Sequence, residues 1–213
     1  MKRDLTTSLI AVVALTVVLG IAYPLAITGI AQLVFPGKAN GSKLTLSGKT
    51  VGSSLIGQDF KGMPTYFQSR PSATEYSADA TFFGNVGPNS VEGREEVREN
   101  LVAYLKLNKP YDKSLTSAQV PVDAVTNSAS GVDPQISEAN ARIQAHRVAA
   151  VRGLPLAKVE ELIVSHTDGR SLGVLGEPGV NVLELNIALD EMQPTGRNLR
   201  HGRRFRPVDG GSQ

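Results

Sequence analysis

The chain has 213 residues, of which 41% are hydrophobic, and a formal net charge of +2 at pH 7. A charge this small carries no overall signal for binding nucleic acid. There is no cysteine, which excludes a disulfide framework, a thiol nucleophile and processing as a lipoprotein. Three histidines without cysteine give no metal-ligand spacing, so we predict no metal site.

The N-terminal segment is the longest apolar one, because residues 5–37 carry no charged side chain. About 20 apolar residues in a helix cross a bilayer core of roughly 30 Å. Lys2 and Arg3 precede the segment, so the positive-inside rule predicts a cytoplasmic N-terminus and a domain outside the cytoplasm. A cleaved signal peptide is the alternative. Apolar residues continuing to Phe35, without a clean cleavage site, favour an uncleaved transmembrane anchor.

Four residues of this segment predict a partner-binding face. Pro24 removes a backbone donor and should kink the helix. Thr28 and Gly29 would let a second helix approach closely, and a buried Gln32 amide would need a partner. The alternative is that Thr28 bonds to its own helix while Gln32 lies in the headgroup layer.

The chain divides into three predicted parts. Residues 1–37 are the cytoplasmic start and the anchor helix, and residues 38–190 are an extracytoplasmic domain of ordinary size. Residues 191–213 contain five arginines and few apolar residues, which predicts a disordered basic tail.

The domain should begin with one or two short strands over residues 44–56, broken at Ser47-Gly48. Residues 57–88 lack periodicity but are rich in aromatic side chains, so they predict a long ordered loop. Asn89 or Ser90 should cap a helix with an apolar stripe at Val97, Leu101, Tyr104 and Leu105, which Pro110 ends.

The second half of the domain predicts two more helices and a strand. Residues 120–125, which include Pro121, predict an edge strand or an extended piece. Ser137 should cap a helix that buries Ile143, Ala150 and Val151. Pro155 should open a helix whose stripe includes Val159 and Ile163. Alternation from Leu183 to Leu189 predicts a closing strand. The predicted fold is therefore one transmembrane helix plus an α+β domain.

No catalytic constellation is visible. Gly48-Lys49-Thr50 resembles the end of a phosphate-binding loop, but the first glycine of that motif is missing and a hairpin turn explains it better. Ser165, His166 and Asp168 are neighbours, yet His166 is better explained as a charge at a helix C-terminus. Ser130 lacks the surroundings of a nucleophile elbow. We predict no catalytic and no cofactor-binding residues.

An ordered series of motifs resembles a known family over about residues 1 to 190. The motifs of the first part are Tyr23-Pro24, Thr28-Gly29, Gln32, Phe35-Pro36 and Ala39-Asn40-Gly41-Ser42. Those of the second include Arg70-Pro71-Ser72-Ala73, Pro121-Val122-Asp123-Ala124, Ser128-Ala129-Ser130-Gly131-Val132-Asp133-Pro134 and Leu175-Gly176-Glu177-Pro178-Gly179-Val180-Asn181-Val182-Leu183. Together they resemble the C subunit of Kdp-type potassium-transporting ATPases.

The resemblance implies an accessory subunit of a bacterial inner-membrane complex that imports potassium. Its partners would be a channel-like subunit that selects K⁺, a P-type ATPase subunit that hydrolyses ATP, and membrane lipid. The family is credited with acting as a catalytic chaperone that raises the ATP affinity of the catalytic subunit. A domain outside the cytoplasm cannot touch cytoplasmic ATP, so we expect an indirect effect. A stand-alone anchored binding module or enzyme is the alternative.

Two acidic residues of the domain, Asp133 and Glu138, could attract cations near a potassium entrance. The simpler interpretation of Ser137-Glu138 is a helix N-terminus with its usual acid.

Overall fold

The computed structural model describes residues 2–46, 48–77, 86–87 and 89–192. The chain forms two compact units, residues 1–43 and residues 44–213. The predicted basic tail lies outside the described residues from position 193 onward, as do Phe82 and Phe83 of the predicted loop.

The first unit is an almost unbroken helix. It comprises α1 (Lys2–Val17), a π-helical turn (Val18–Ala22) and α2 (Tyr23–Val34), and a short helix α3 (Pro36–Ala39) follows. Pro24 has no N–H to donate to the preceding turn. The turn widens there, and the Tyr23 N–H bonds to the Val18 carbonyl. The kink predicted at Pro24 stays a prediction, and the structure has a π-turn just before that residue. Residues Lys2–Val34 are long and apolar enough to cross a membrane.

The second unit contains two small sheets. Strands β1 (Lys43–Leu46) and β2 (Lys49–Ser53) pair across Gly48, whose φ of 77° lies in the left-handed region that glycine adopts freely. The second sheet has the order β3-β5-β4 and is antiparallel. Its strands are β3 (Gln135–Ile136), β4 (Thr167–Asp168) and β5 (Gly179–Asn181). The strands predicted within residues 44–56 are confirmed.

The three predicted helices are also confirmed, and their caps explain their ends. Helix α4 (Val91–Asn108) begins after Ser90, whose hydroxyl accepts from the Gly93 N–H. Helix α5 (Glu138–Arg152) begins after Ser137, which caps it in the same way, and ends at Gly153. Helix α6 (Leu156–Ser165) follows Pro155 and buries Val159 and Ile163, as predicted.

Two predicted strands are wrong. Residues 182–192 form helix α7 (Val182–Met192), which Asn181 caps by accepting from the Glu184 N–H. Six of its eleven residues are buried, and the alternation of Leu183, Leu185, Ile187 and Leu189 with other residues imitates the pattern of a strand. Residues 120–125 form no strand: Val120 and Pro121 are extended, and a 3₁₀ turn follows at Val122–Ala124.

The buried face of α5 also differs from the prediction. Ala150 is exposed, and Ile143 and Val151 are only half-buried. The helix turns Ala141, Ala145 and Val148 into the core. Beside them it buries four polar side chains: Asn140, Gln144, Arg147 and Arg152. The core is completed by aromatic residues of the preceding loop and by α6 and α7, so the predicted ordered loop is confirmed within its described part.

Candidate functional site

The predicted partner-binding residues lie on one side of α2. At about 100° per residue, Pro24, Thr28 and Gln32 follow one another around an arc of about 80°, and Gly29 lies about 60° beyond Gln32. All four belong to a helix that has no buried residue in the described structure. The face is therefore open to a second helix or to lipid.

Gln32 already has a partner within the chain. Its side-chain amide donates to the Asn40 side chain at 3.3 Å and accepts from it at 3.1 Å. Asn40 also donates to the Pro36 carbonyl at 2.7 Å, which fixes the turn after α3. Gln32 thus needs no amide from another protein, and the argument for the face depends on its small residues.

Gly29 and Thr28 place little side-chain volume on this face of the helix. A Cβ added at Gly29 would meet no atom within 4 Å. Thr6 and Thr7 bond back to the carbonyls of their own helix, but the Thr28 hydroxyl makes no hydrogen bond among the described residues. The hydrogen bond from Thr28 to its own helix, which was the alternative, is therefore not formed among the described residues. The geometry leaves both residues free to contact a close-packed neighbour.

The domain holds a buried polar network that the sequence did not reveal. Five consecutive backbone carbonyls, those of residues 64–68, each accept a hydrogen bond from a side chain of α5 or α7. We call residues 64–68 the clamped segment. The donors, in chain order of their acceptors, are Arg147, Arg152, Arg147, Asn186 and Gln144.

Two amides grip the clamped segment from both sides. The Phe67 N–H donates to Asn186 Oδ1 at 2.9 Å, and Asn186 Nδ2 donates to the Phe67 carbonyl at 2.9 Å. Gln144 forms the same reciprocal pair with the backbone of Gln68, at 2.8 and 3.0 Å. A buried loop has no strand neighbour to satisfy its backbone, so these side chains take that role. The only sequence signal for this network was the presence of amide side chains beside apolar residues in α5 and α7.

Arg147 lies at the centre of this network. It is fully buried and donates to neutral oxygens only: the Asn108 and Gln144 side chains and the carbonyls of Pro64 and Tyr66. Its burial lowers the pKa of the guanidinium to about 10. Since the cation is enclosed, it organises the fold and offers nothing to a ligand.

A second buried cation joins α5 to α7. Arg152 forms an ion pair with Asp190 at 2.9 Å, and its guanidinium lies 4.8 Å from the centre of the Tyr66 ring. The Tyr66 hydroxyl donates to Asp190 at 2.7 Å. Burial, and then this bond to a carboxylate, raise the pKa of Tyr66 to about 12. This cluster also closes the core.

The candidate catalytic residues are structural. The His166 Nδ1 lies 2.8 Å from the Leu162 carbonyl, and the Ser165 hydroxyl donates to the same oxygen at 3.0 Å. Both therefore satisfy the C-terminal end of α6. Asp168 accepts from Gln135 at 2.7 Å. Ser130 bonds within its own turn. Lys49 and Thr50 lie in β2, as the hairpin interpretation predicted.

The two acids proposed to attract cations already face cationic side chains. Asp133 pairs with Arg70 at 3.1 Å, and Glu138 pairs with Arg142 one turn later on α5. Among the described residues there is no group of three histidine or acidic side chains that could hold a metal ion. One cavity of about 220 Å³ is lined by residues of β1 and α7 together with His166. Its polar lining residues are Thr45, His166, Glu184 and Glu191.

Within the described residues, these observations define a class of protein that has one helix of membrane-spanning length and a domain whose buried polar residues hold its own core together. Comparison with known proteins makes the assignment specific. The family model for "KdpC: K+-transporting ATPase, c chain" matches residues 5–191, and the chain belongs to this family.

Individual relatives agree along nearly their whole length. A protein of Koribacter versatilis called potassium-transporting ATPase KdpC subunit is 44% identical over 91% of this chain and 97% of its own length. Proteins of the same name from Polaromonas naphthalenivorans and Mycobacterium tuberculosis are 49% and 46% identical, covering 97% and 100% of their lengths. The family predicted from the motifs is confirmed.

Proposed function

We propose that this chain is the accessory, non-pumping subunit of an ATP-driven complex that imports potassium with high affinity. Family membership supports the complex. The observation that carries the accessory role is that the described residues contain one helix of membrane-spanning length. One helix cannot enclose a path for an ion through lipid, because such a path needs polar groups shielded on all sides. The ion path therefore belongs to a channel-like partner subunit.

ATP hydrolysis belongs to a second partner, a P-type ATPase subunit. Within the described residues no side chain of this chain is arranged for phosphate chemistry, and Lys49 lies in a hairpin strand rather than before a helix. The chain binds no cofactor itself in this proposal. ATP and K⁺ are handled by the complex.

The chain is placed in the bacterial inner membrane as a single-pass protein with a cytoplasmic N-terminus. Lys2 and Arg3 lie at the N-terminal end of the helix, which supports this orientation. The domain then lies on the side from which potassium enters. Any increase in the ATP affinity of the catalytic subunit, the role credited to the family, is consequently indirect and passes through the assembly.

The anchor would pack on the channel-like subunit through Pro24, Thr28 and Gly29, with Gln32 at its edge. The open space above Gly29 supports close packing there. The remaining circumference of the helix contacts membrane lipid. The domain then stabilises the two larger subunits over the ion entrance.

Orientation can be tested directly, because the chain has no cysteine of its own. One cysteine is introduced as Lys158→Cys, at an exposed position of the domain, and another as Lys2→Cys, at the N-terminal end of the anchor helix. A membrane-impermeant maleimide is added to intact spheroplasts. We expect labelling of the first variant and labelling of the second only after permeabilisation. The reverse pattern would place the domain in the cytoplasm and reopen direct contact with ATP.

A further inference from the structure

A groove runs along one face of helix α7. Its lining includes Glu184, Ile187, Ala188 and Glu191, which share that face because residues three and four positions apart are neighbours on a helix. Residues of β1 and His166 complete the lining. We call this cavity of about 220 Å³ the α7 groove. Its middle is apolar, and a carboxylate lies at each end, about 10 Å apart along the helix axis.

Both carboxylates of the α7 groove lack a cation. Among the described residues, neither Glu184 nor Glu191 takes part in an ion pair, and neither side chain accepts a hydrogen bond. Their neighbour Asp190, in contrast, pairs with Arg152 at 2.9 Å. The groove therefore presents two negative charges that the described part of the chain does not compensate.

The position of Glu191 adds to this need for a cation. Helix α7 ends at Met192, and its last turn contains no basic residue. The last turn of a helix carries free carbonyl groups and the negative end of the helix dipole, which cations stabilise and carboxylates do not. A cationic side chain beside Glu191 would therefore neutralise both the carboxylate and the end of the helix.

The sequence that directly follows α7 has the complementary charge. Residues 193–213, which lie outside the described residues, are called the arginine tail below. They contain four arginines that recur at every third position: Arg197, Arg200, Arg203 and Arg206. An extended chain of the polyproline II type has three residues per turn and rises about 3.1 Å per residue, so these side chains share one side about 9 Å apart. This interval is close to that between the two carboxylates of the groove.

The arginine tail begins close enough to the groove to turn back onto it. Its second to fourth residues are Pro, Thr and Gly, and proline and glycine favour turns. A reversal there brings Arg197 to Glu191 and Arg200 to Glu184. Since the tail and α7 belong to one chain, the effective concentration of the tail at the groove is on the order of millimolar, so weak contacts are sufficient to hold it.

We propose that the arginine tail folds back and binds in the α7 groove of its own chain. Its first two arginines pair with the two carboxylates, and Leu199, which lies between these arginines in the sequence, contacts Ala188 in the apolar middle. The tail needs no helix or strand for these contacts, in keeping with its composition. The inference concerns contacts within this chain and does not depend on the proposed function.

An anionic lipid surface is the other place where a basic tail can bind, because arginines are attracted to lipid phosphates. The groove is favoured because Glu191 lies only six positions before Arg197 in the chain, and because its two carboxylates have the spacing of the arginines. The test therefore includes anionic lipid as a competitor.

The test measures disulfide formation between the tail and the groove in the full chain, which has no cysteine of its own. The chain is reconstituted in nanodiscs that contain phosphatidylglycerol. Ala188→Cys/Leu199→Cys joins the groove to the tail, since a disulfide forms only when the two Cα atoms approach within about 7 Å. The reference pair is Ala157→Cys/Leu199→Cys, because Ala157 lies at an exposed position of α6 outside the groove lining.

We expect the groove pair to form its disulfide faster than the reference pair under the same mild oxidant. Adding Glu184→Gln/Glu191→Gln should slow the groove pair about fivefold, because each exposed ion pair changes an equilibrium by roughly 1.4- to 5-fold. Glu92→Gln/Glu99→Gln is the matched control, since it removes two exposed carboxylates at the same spacing on α4. This control should leave the rate unchanged.

Two further measurements leave the groove residues as they are. Arg197→Gln/Arg200→Gln changes only the arginine tail and should also slow the groove pair about fivefold. The chain contains no tryptophan, so Leu199→Trp alone gives a second readout without cysteines. Its emission should lie at a shorter wavelength at low salt than in 1 M NaCl, because salt screens the ion pairs that hold the tail.

Equal rates for the groove pair and the reference pair would overturn the inference, and so would equal effects of the two glutamine double variants. A groove disulfide that forms in nanodiscs of neutral lipid but not in those with phosphatidylglycerol would assign the tail to the lipid surface and would also overturn it. Tryptophan emission that does not respond to salt would contradict an arginine tail held by charge.

Discussion

The Asn186 amide makes a sharp test of the clamped segment, residues 64–68. Asn186 is fully buried and makes two hydrogen bonds of 2.9 Å with the Phe67 backbone. The change Asn186→Leu keeps a side chain of similar length but removes both bonds. The N–H and the carbonyl of Phe67 then lose these partners inside the core.

The magnitude follows from the two orphaned groups. A buried polar group without a partner costs about 1–3 kcal/mol, so two cost about 2–6 kcal/mol. Leucine adds apolar contact that offsets part of this loss. We expect a fall of about 3 kcal/mol in the free energy of unfolding, against a total of about 5–15 kcal/mol for a domain.

The assay is urea unfolding of the full chain in detergent micelles, followed by circular dichroism. Asn127→Leu is the matched control, because its amide meets Glu96 at the surface, and it should change the unfolding free energy by less than about 0.5 kcal/mol. A loss below about 1 kcal/mol for Asn186→Leu would show that the clamped segment does not depend on its side-chain partners.

Three further predictions concern the anchor, a helix cap and pH. Gly29→Leu should lower recovery of the partner subunits at least about threefold, because the larger side chain blocks close helix packing. Ala26→Leu is the control, since Ala26 lies outside the predicted arc, and it should leave recovery unchanged. Equal effects of the two variants would refute the partner-binding face. Ser137→Ala should lower the free energy of unfolding, measured in urea, by about 1–2 kcal/mol, because the Ser137 hydroxyl caps α5 and donates to Asp123 at 2.7 Å. An unchanged free energy of unfolding would show that this cap does not stabilise the domain. The pKa of Tyr66, raised to about 12, means that the folded state holds this proton more tightly than the unfolded state, whose tyrosine titrates near 10. The stabilisation it adds is complete below pH 10 and is lost as the pH rises to 12, so Tyr66→Phe should flatten the alkaline fall in stability measured by urea unfolding at several pH values; an unchanged slope would exclude this group.

Local signals predicted the helices that have visible caps. Ser90, Ser137 and Gly153 mark helix ends that depend on a few neighbouring atoms, so sequence spacing was sufficient. The kink predicted at Pro24 likewise rests on a local cause, the missing backbone N–H of proline. These features are set by backbone chemistry close in the chain.

The rest of the domain depends on contacts between distant residues. Helix α7 buries Leu183, Leu185, Ile187 and Leu189, whose spacing of two residues is also that of a strand, so the sequence pattern did not distinguish the two. In α5, nothing in the sequence predicted that Arg147 would be buried, because cations seldom lie in a core. Its acceptors come from residues 39 to 83 positions away, apart from Gln144, and no local pattern could pair them.

The predicted family is confirmed, whereas the predicted partner-binding face is not yet tested. The ordered motifs identified the family, which the comparisons confirm. The face formed by Pro24, Thr28, Gly29 and Gln32 stays a prediction, and the Gln32–Asn40 pair removes one of the reasons first given for it. Of residues 169–178, the connection between β4 and β5, the sequence analysis used only those that belong to the family motif. The exposure of this connection and the φ of Leu172 are visible only in three dimensions.

The most direct test of the accessory role is a pull-down of the tagged chain from native membranes of cells grown at limiting potassium, followed by an ATPase assay of the eluate. The account predicts a channel-like protein and a P-type ATPase in the eluate, with potassium-stimulated ATP hydrolysis that disappears when this chain is deleted and returns when it is restored. A solitary chain, recovered while those partners are expressed, or full activity without the chain, would contradict the account.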